Sequence, residues 1–508
     1  MKSSIKLVCV FTVLSLLGMG ISAQTKGARF GEVFPRIEPE PQAVEYAQKA
    51  INGGYSWINL AEISLWASDA ALAMNVAARG GRPAYMEQIV AAVKELRSMP
   101  ELPLAERERA DFILSFLHQN FLKTYSRNQT RIDTLLNTGR YNCVSSAVLY
   151  MIFAMSVDLD VSGVMTKDHA FALVHSGGES IDVETTNPWG FDPGNRREFH
   201  DQFGKLTGFA YVPARNYRDR AFISPIELVS LILSNRISEL ESGSRFAEAV
   251  PLAVDRAALL AYSPKTNGIR GVDSPAPFFE DPRRDMMNRI FNYGAFLLNT
   301  GKEEDCLRWA AFAAPRYPED ARWQEFTMAA ANNRIQKLVE SGQLSVAREF
   351  LVWQKASISP ANYTLLDSLL TDAELVNSAL KILDVYEGDR ILAAIEQAKH
   401  SKLINDKRAA ELITFTVQKT AAALSAVPRR DWLASIDYIE KAITRFGPNQ
   451  DLEYSLRTYQ TNRAKDFHNR FAAAWNTKNY EEAERIIIEG LSEFPNNKLL
   501  LADKKFLE

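Results

Sequence analysis

The sequence predicts an α+β protein: a helix packed on a small antiparallel sheet, followed by an all-α array of stacked helix pairs. Three observations predict it. Between Val161 and Thr186 the hydrophobic period changes from helical to two. From about Pro225 it returns to helical and stays so to Glu508. Within that last stretch turn residues recur every 41 to 48 residues, apart from one longer unit, as stacked helix pairs require.

Taken in order, residues 1–23 read as an export signal. Lys2 and Lys6 are basic, Leu7 to Leu17 is apolar, and Ile21-Ser22-Ala23 offers a small-residue cleavage site. The apolar run is shorter than the roughly 20 residues of a membrane span. An exported chain cleaved after Ala23, periplasmic or extracellular, is therefore expected, with an uncleaved anchor as the alternative. Cys9 lies inside the apolar run, away from the small residues of a lipid-attachment site. No later run suits a bilayer, so no membrane span is expected in the mature chain. With 59 basic and 62 acidic residues and no basic stripe, nucleic acid is not an expected partner.

The length predicts two to four domains. Residues 24–104 form an N-terminal helical region, with helical patterns at about 43–52, 57–75 and 84–97 before Pro100 and Pro103. Residues 105–224 form the second unit. A longer helix is expected from Ala105 to Tyr125, and another from Cys143 to about Ser156 with Val144, Ala147, Val148, Met151 and Ile152 on its apolar face. Strands follow at Val161 to Met165, His169 to His175 and Ser180 to Thr186. Gly177-Gly178 makes a hairpin turn, and Gly208 to Val212 offers a fourth strand.

Residues 225–508 form the array. Turns are expected at Gly243, Gly301, Gly342, Gly388, Arg430 and Lys478. Small residues that let helices approach closely follow most of them, at Cys306, Ala347, Ala393, Ser435 and Ala483. Proline closes many units, at Pro264, Pro318, Pro360, Pro448 and Pro495, and Ser263 to Pro282 reads as a surface insertion.

The chemistry-bearing stretch lies in the second unit. Cys143 opens a helix, where unpaired N–H groups and the macrodipole favour a thiolate. A His169 on a following strand is placed to take a proton, and an acid on the next strand to orient that histidine. Two acids compete for this role, Glu184 and Asp182, two residues apart on one strand face. Asn142 has two readings, N-cap of the Cys143 helix or donor to an oxyanion. Taken alone, Cys143 would be read as a buried small hydrophobe.

The remaining candidates read as structural. Cys306 occupies a small-residue slot; a disulfide with Cys143 would bridge two units and consume the nucleophile. His169 and His175 lack a partner cluster, so no metal or cofactor is expected. His118 reads as a packed histidine or a support for the site. Asn128-Gln129-Thr130 matches a glycan acceptor pattern. Trp189 and Phe191 either close the core or line a cleft.

With Cys143, His169 and the acid in this order, the region from about Asp111 to Pro193 resembles the transglutaminase-like superfamily, related to papain-type thiol enzymes. Phe116-Leu117-His118-Gln119-Asn120-Phe121 is similar to that family's lead-in helix, and Val183-Glu184-Thr185-Thr186 matches the register of its acid, which favours Glu184. The resemblance implies a Cys-His-acid acyl-transfer enzyme, a peptidase, amidase or transglutaminase-like protein acting on a protein or peptide substrate. The units Asn299–Pro318 and Asn476–Pro495 resemble tetratricopeptide repeats, whereas the middle units are longer than that family's 34 residues. That resemblance implies a protein partner on the array. The alternative is a non-catalytic binding scaffold with a degenerate thiol domain.

Overall fold

In the computed structural model, residues 34–51, 55–69, 81–194, 197–213, 216, 219–261, 281–427 and 430–507 are described. The export signal, the end of the expected 57–75 helix, Pro264 and nearly all of the Ser263–Pro282 insertion lie outside the described residues.

The chain opens with α1 (Pro41–Ile51), α2 (Trp57–Asp69), α3 (Gly81–Ser98) and α4 (Glu106–Asn120). The last of these stops short of the expected Tyr125. The N–H groups of Phe121 and Leu122 both close on Leu117 O, and those of Lys123 and Thr124 turn away to Gly139 O at 2.9 and 3.0 Å. Thr124–Tyr125 is therefore a short strand, β1, paired in parallel with β2 (Arg140–Tyr141) across α5 (Ile132–Thr138).

The Cys143 helix, α6, runs from Cys143 to Ser156 as expected. It is apolar all round and every residue but Met155 is buried, so it passes through the core rather than along its surface. Against it lies the sheet: β3 (Asp160–Met165), β4 (Ala170–Ser176), β5 (Glu179–Val183) and, after α7 (Arg197–Thr207), β6 (Ala221–Ile223). The strand order is β5-β4-β3-β6, all antiparallel. Gly177 and Gly178 have φ of 58° and 85°, the pair of positive values that a two-residue hairpin turn needs.

The sequence missed α7 and misplaced the fourth strand. The segment after Gly208 is irregular, because Phe209 and Tyr211 turn into an aromatic cluster under α7 instead of extending along β3. Phe171 and Leu173 of β4 meet Phe199 and Phe203 of α7 there, whereas Ala170, Ala172 and Val174 face α6. The sheet is thus covered on both faces.

Next come α8 (Pro225–Ser242) and α9 (Phe246–Leu259). Ser224 and Glu227 form a capping box, with Pro225 in the first turn of α8. One apolar core runs from Ile37 to Ala330 and includes α2, α6, α8 and α9. The expected boundaries at 104/105 and 224/225 therefore do not separate cores. Buried polar ties cross them: Asp255 accepts from Arg36 at 2.9 and 2.7 Å and from the Glu40 N–H at 2.8 Å.

Among the described residues 281–507 every regular element is helical: α10 (Pro282–Asn299), α11 (Glu303–Ala313), a 3-10 turn, α12 (Arg322–Glu340), α13 (Leu344–Gln354), α14 (Pro360–Ala379), α15 (Val385–His400), α16 (Asp406–Ser425), α17 (Trp432–Phe446), α18 (Gln450–Asn476), α19 (Tyr480–Glu493) and α20 (Lys498–Lys504). Beyond Ala330, three smaller cores follow one another along this stretch. Cys306, Ala347, Ser435 and Ala483 are buried as expected. Gly388 is not a turn but lies inside α15, where an added Cβ would sit 2.3 Å from Thr420 Oγ1. The close approach is made by Gly388 itself, and Ala393 is exposed. Among the described residues no helix is long and apolar enough to cross a membrane.

Candidate active site

The site is built where α6, β4 and the end of β5 meet. Strand β2 delivers Asn142 to the cap of α6. Its Oδ1 accepts the Ser145 N–H at 3.0 Å, and the Ser145 hydroxyl accepts the Asn142 N–H at 3.0 Å. The Asn142 Nδ2 donates to Arg127 O at 3.2 Å. Asn142 is thus the cap, one of its two amide N–H groups is taken by Arg127, and the residue lines the cleft over Cys143. Cys143 follows as the first helical residue, 8% exposed, where the backbone N–H has no partner within the helix.

His169 stands immediately before β4. Its Nε2–H donates to Glu184 Oε2 at 2.7 Å, with both side chains buried. Among the described residues its Nδ1 is buried without a hydrogen-bond partner. Burial alone would pull the imidazole down, but the charges of Glu184 and Cys143, and the hydrogen bond to Glu184, push it up to about 10. The thiol therefore lies beside the ring without closing a well-aligned bond, a looseness common in unliganded sites. Phe203 meets the ring edge-on at 5.0 Å, and Phe209 lies at 5.8 Å, so the imidazole has little room to rotate.

Glu184 lies one residue past β5, in a turn closed by its own N–H on Gly190 O at 2.8 Å. Its second oxygen accepts from the Thr186 N–H at 3.1 Å and the Thr186 hydroxyl at 2.7 Å. The turn is held from three sides. Thr185 shares a 2.7 Å hydrogen bond with Ser146 of α6, the Thr185 carbonyl accepts from His118 Nε2–H at 3.1 Å, and the Thr186 carbonyl accepts from the Tyr141 hydroxyl at 3.1 Å. Burial is the main cause that takes His118 down to about 4, so it serves here as a neutral donor. Gly190 lets the turn close this tightly, because a Cβ there would lie 2.0 Å from Glu184 O and the turn would have to shift.

Asp182 does not orient His169. Arg220 grips its carboxylate with two bonds, at 2.9 and 2.6 Å, and the Tyr211 hydroxyl donates to it as well. The Arg220 guanidinium lies 5.1 Å over Phe171, so this buried pair fastens β5 to the segment leading into β6. The acid at the histidine is Glu184.

A cleft of about 530 Å³ opens over Cys143 and His169. Tyr125, Arg127, Lys167 and Asp168 line it, together with Ser234, Asn235, Ser238 and Ser242 of α8. The α8 residues share one helix face, and their helical spacing was readable in the sequence. Tyr125 was hidden by its assignment to a helix end. Trp189 and Phe191 do not line this cleft: Trp189 is 72% exposed, and Phe191 packs on the core beneath Arg107.

The other candidates are structural. His175 is held between the Ser162 and Ser180 hydroxyls at 2.9 and 3.0 Å. Among the described residues no cluster of three His, Cys, Asp or Glu is placed to hold a metal ion. Cys143 and Cys306 are both free thiols. Burial, and then Glu303, push the Cys306 thiol up to about 12.

No protein-family model matches this chain. No curated protein matches it either. Among solved structures it is similar to menin, in a crystal structure described as revealing the binding site for Mixed Lineage Leukemia (MLL) protein. The identity is 14% and the TM-score 0.32, with 85% of this chain and 94% of that chain covered. That score is below what two chains of one fold share, so the site stands on its own geometry.

Proposed function

We propose that this chain is an exported thiol enzyme of the transglutaminase-like kind, a peptidase or amidase acting on a protein or peptide substrate. The observation that carries the reading is one run of contacts at the cleft: Glu184 bonded to His169, and the free Nδ1 of His169 beside Cys143. The raised His169 keeps its proton through neutral pH, so it stands beside the sulfur as the acid that a leaving amine needs.

In this reading the Cys143 sulfur attacks the substrate carbonyl carbon, forming the S–C bond while the carbonyl pair moves onto oxygen. The C–N bond then breaks as His169 gives its proton to the leaving amine. A water adds to the thioester, its proton passes to His169, and the C–S bond breaks to release the acid and restore the charged pair. Transamidation is the same sequence with an amine in place of the water. The array beyond α9, tetratricopeptide-like around Asn299 and Asn476, is proposed to hold a protein partner. Exposed Trp353, Leu383 and Tyr386 favour that docking role, and they also favour the second reading, a binding scaffold with an idle thiol site.

The test is labelling of the purified protein with an iodoacetamide probe at pH 6, with Cys143→Ala, Cys306→Ala and His169→Ala controls. Cys143 is expected to take the label first, and His169→Ala to slow it while leaving Cys306 unchanged. Equal labelling of both cysteines, indifferent to His169→Ala, would favour the scaffold.

A further inference from the structure

Tyr125 is held against the entrance of α6 by the β1–β2 pair. It stands in register with Tyr141, which precedes Cys143 by two residues, and the Ser126 N–H closes on Tyr141 O at 2.7 Å. The Tyr125 and Tyr141 rings meet edge to face at 6.0 Å, which fixes the direction of the phenol. Tyr125 lines the same cleft as Cys143 and His169. Its hydroxyl is buried and, among the described residues, has no hydrogen-bond partner.

A buried hydroxyl is costly unless something completes it. Of the surroundings, the Asn142 Oδ1 already accepts from the Ser145 N–H and hydroxyl, and a protonated His169 offers no acceptor. The missing acceptor is therefore one that arrives in the cleft. At a site whose chemistry creates a negative oxygen next to Cys143, the acceptor that fits is that oxygen.

We propose that Tyr125 is a catalytic residue whose hydroxyl, with the Cys143 N–H, donates hydrogen bonds to the oxyanion formed when Cys143 attacks a carbonyl. The proposal rests on the thiol-enzyme reading above. Burial, and then the charges of Cys143 and Glu184, hold the phenol above its ordinary value, so it stays a protonated donor throughout the cycle. The Tyr125→Phe substitution removes the donor and keeps the ring packed on Tyr141.

Two reagents separate this role from others. p-Nitrophenyl acetate acylates a thiol through an oxyanion: the S–C bond forms, the carbonyl pair moves to oxygen, and collapse expels p-nitrophenolate. Iodoacetamide alkylates the same sulfur by displacing iodide, and no oxyanion forms. Using the full chain, the Cys143-dependent burst of p-nitrophenolate is expected to slow about 10²–10³-fold in Tyr125→Phe. The iodoacetamide rate is expected to stay within about twofold, since that step makes no oxyanion. The thermal midpoint should not fall, because an unpaired hydroxyl has been removed. An unchanged burst in Tyr125→Phe would overturn the proposal, and so would equal slowing with both reagents. A wild-type chain with no burst beyond that of Cys143→Ala would overturn the thiol-enzyme reading itself, and this proposal with it.

Discussion

The charge on Glu184 can be removed almost without changing shape, and the consequence can be worked out atom by atom. In Glu184→Gln one oxygen still accepts the His169 Nε2–H, now 2.7 Å from a neutral partner. The new amide NH₂ then faces the Thr186 N–H, which loses its acceptor, while the Thr186 hydroxyl can rotate to accept. The buried charge-assisted bond is worth about 1.5–3 kcal/mol, and one pKa unit is about 1.4 kcal/mol, so His169 should fall by roughly 1–2 units from its wild-type value of about 10. The orphaned Thr186 N–H adds a cost of about 1–3 kcal/mol at every pH.

The sign of the pH dependence follows. His169 is raised above its unfolded value near 6.5, so the stability it contributes is complete below about pH 6.5. That stability is lost as pH rises through about 10 in the wild type, and earlier in the variant. The assay is ¹³C NMR of histidine-labelled protein, whose six histidines are few enough to assign with His169→Gln as reference. Urea midpoints at several pH values measure the stability difference, which should be largest near pH 6.5 and narrow toward pH 10. A wild-type His169 titrating at its ordinary value, or one indifferent to Glu184→Gln, would refute the reasoning.

Two further substitutions separate the neighbours of Glu184. Asp182→Asn should cost about 3–5 kcal/mol of unfolding free energy, because it strands the buried Arg220 guanidinium, yet leave the His169 titration in place. A His169 shift as large as that of Glu184→Gln would mean that both acids act on the ring. Gly190→Ala should cost about 1–3 kcal/mol as its methyl drives the Glu184 turn aside, and Cys143-dependent acylation should fall with it. Undiminished acylation in a folded Gly190→Ala protein would show that the turn does not set the acid.

How much of this was legible depended on whether local pattern or tertiary contact decided the element. The α6 limits, the β4–β5 hairpin and the start of α8 follow from signals written in a few adjacent residues: an Asn-Cys cap, a Gly-Gly turn, a Ser-Pro-x-Glu box. By contrast α4 was cut short and β1 created by Gly139 O, distant in sequence and invisible to a helical period. The array was readable as helices because its period is local. Its contact points were readable only where a small residue followed the turn, and Gly388, in the first turn of α15, looked like a turn between helices. The continuity of one core from α1 to α12 had no sequence signal, since apolar residues do not say which element they will meet.

The two acids show where period-two reasoning stops. Within a strand, residues two apart face the same way, so Asp182 and Glu184 were interchangeable on that rule. Strand β5 ends at Val183, and Glu184 is the first residue free of the ladder. Asp182, still inside the strand, is committed to Arg220 and Tyr211 on the α7 side. Beyond the strand end the chain bends back through Gly190, and it is this bend that sets where the longer glutamate side chain meets the imidazole. An aspartate at 184 would fall short by about one C–C bond, roughly 1.5 Å, which would stretch the 2.7 Å contact beyond hydrogen-bond range unless the turn moved. The turn is tied to α4, β2 and α6 through His118, Tyr141 and Ser146, so it has little freedom to follow. The length of the acid and the position of the turn are therefore one coupled choice, which is why Glu184 stands at the histidine and Asp182 serves the sheet.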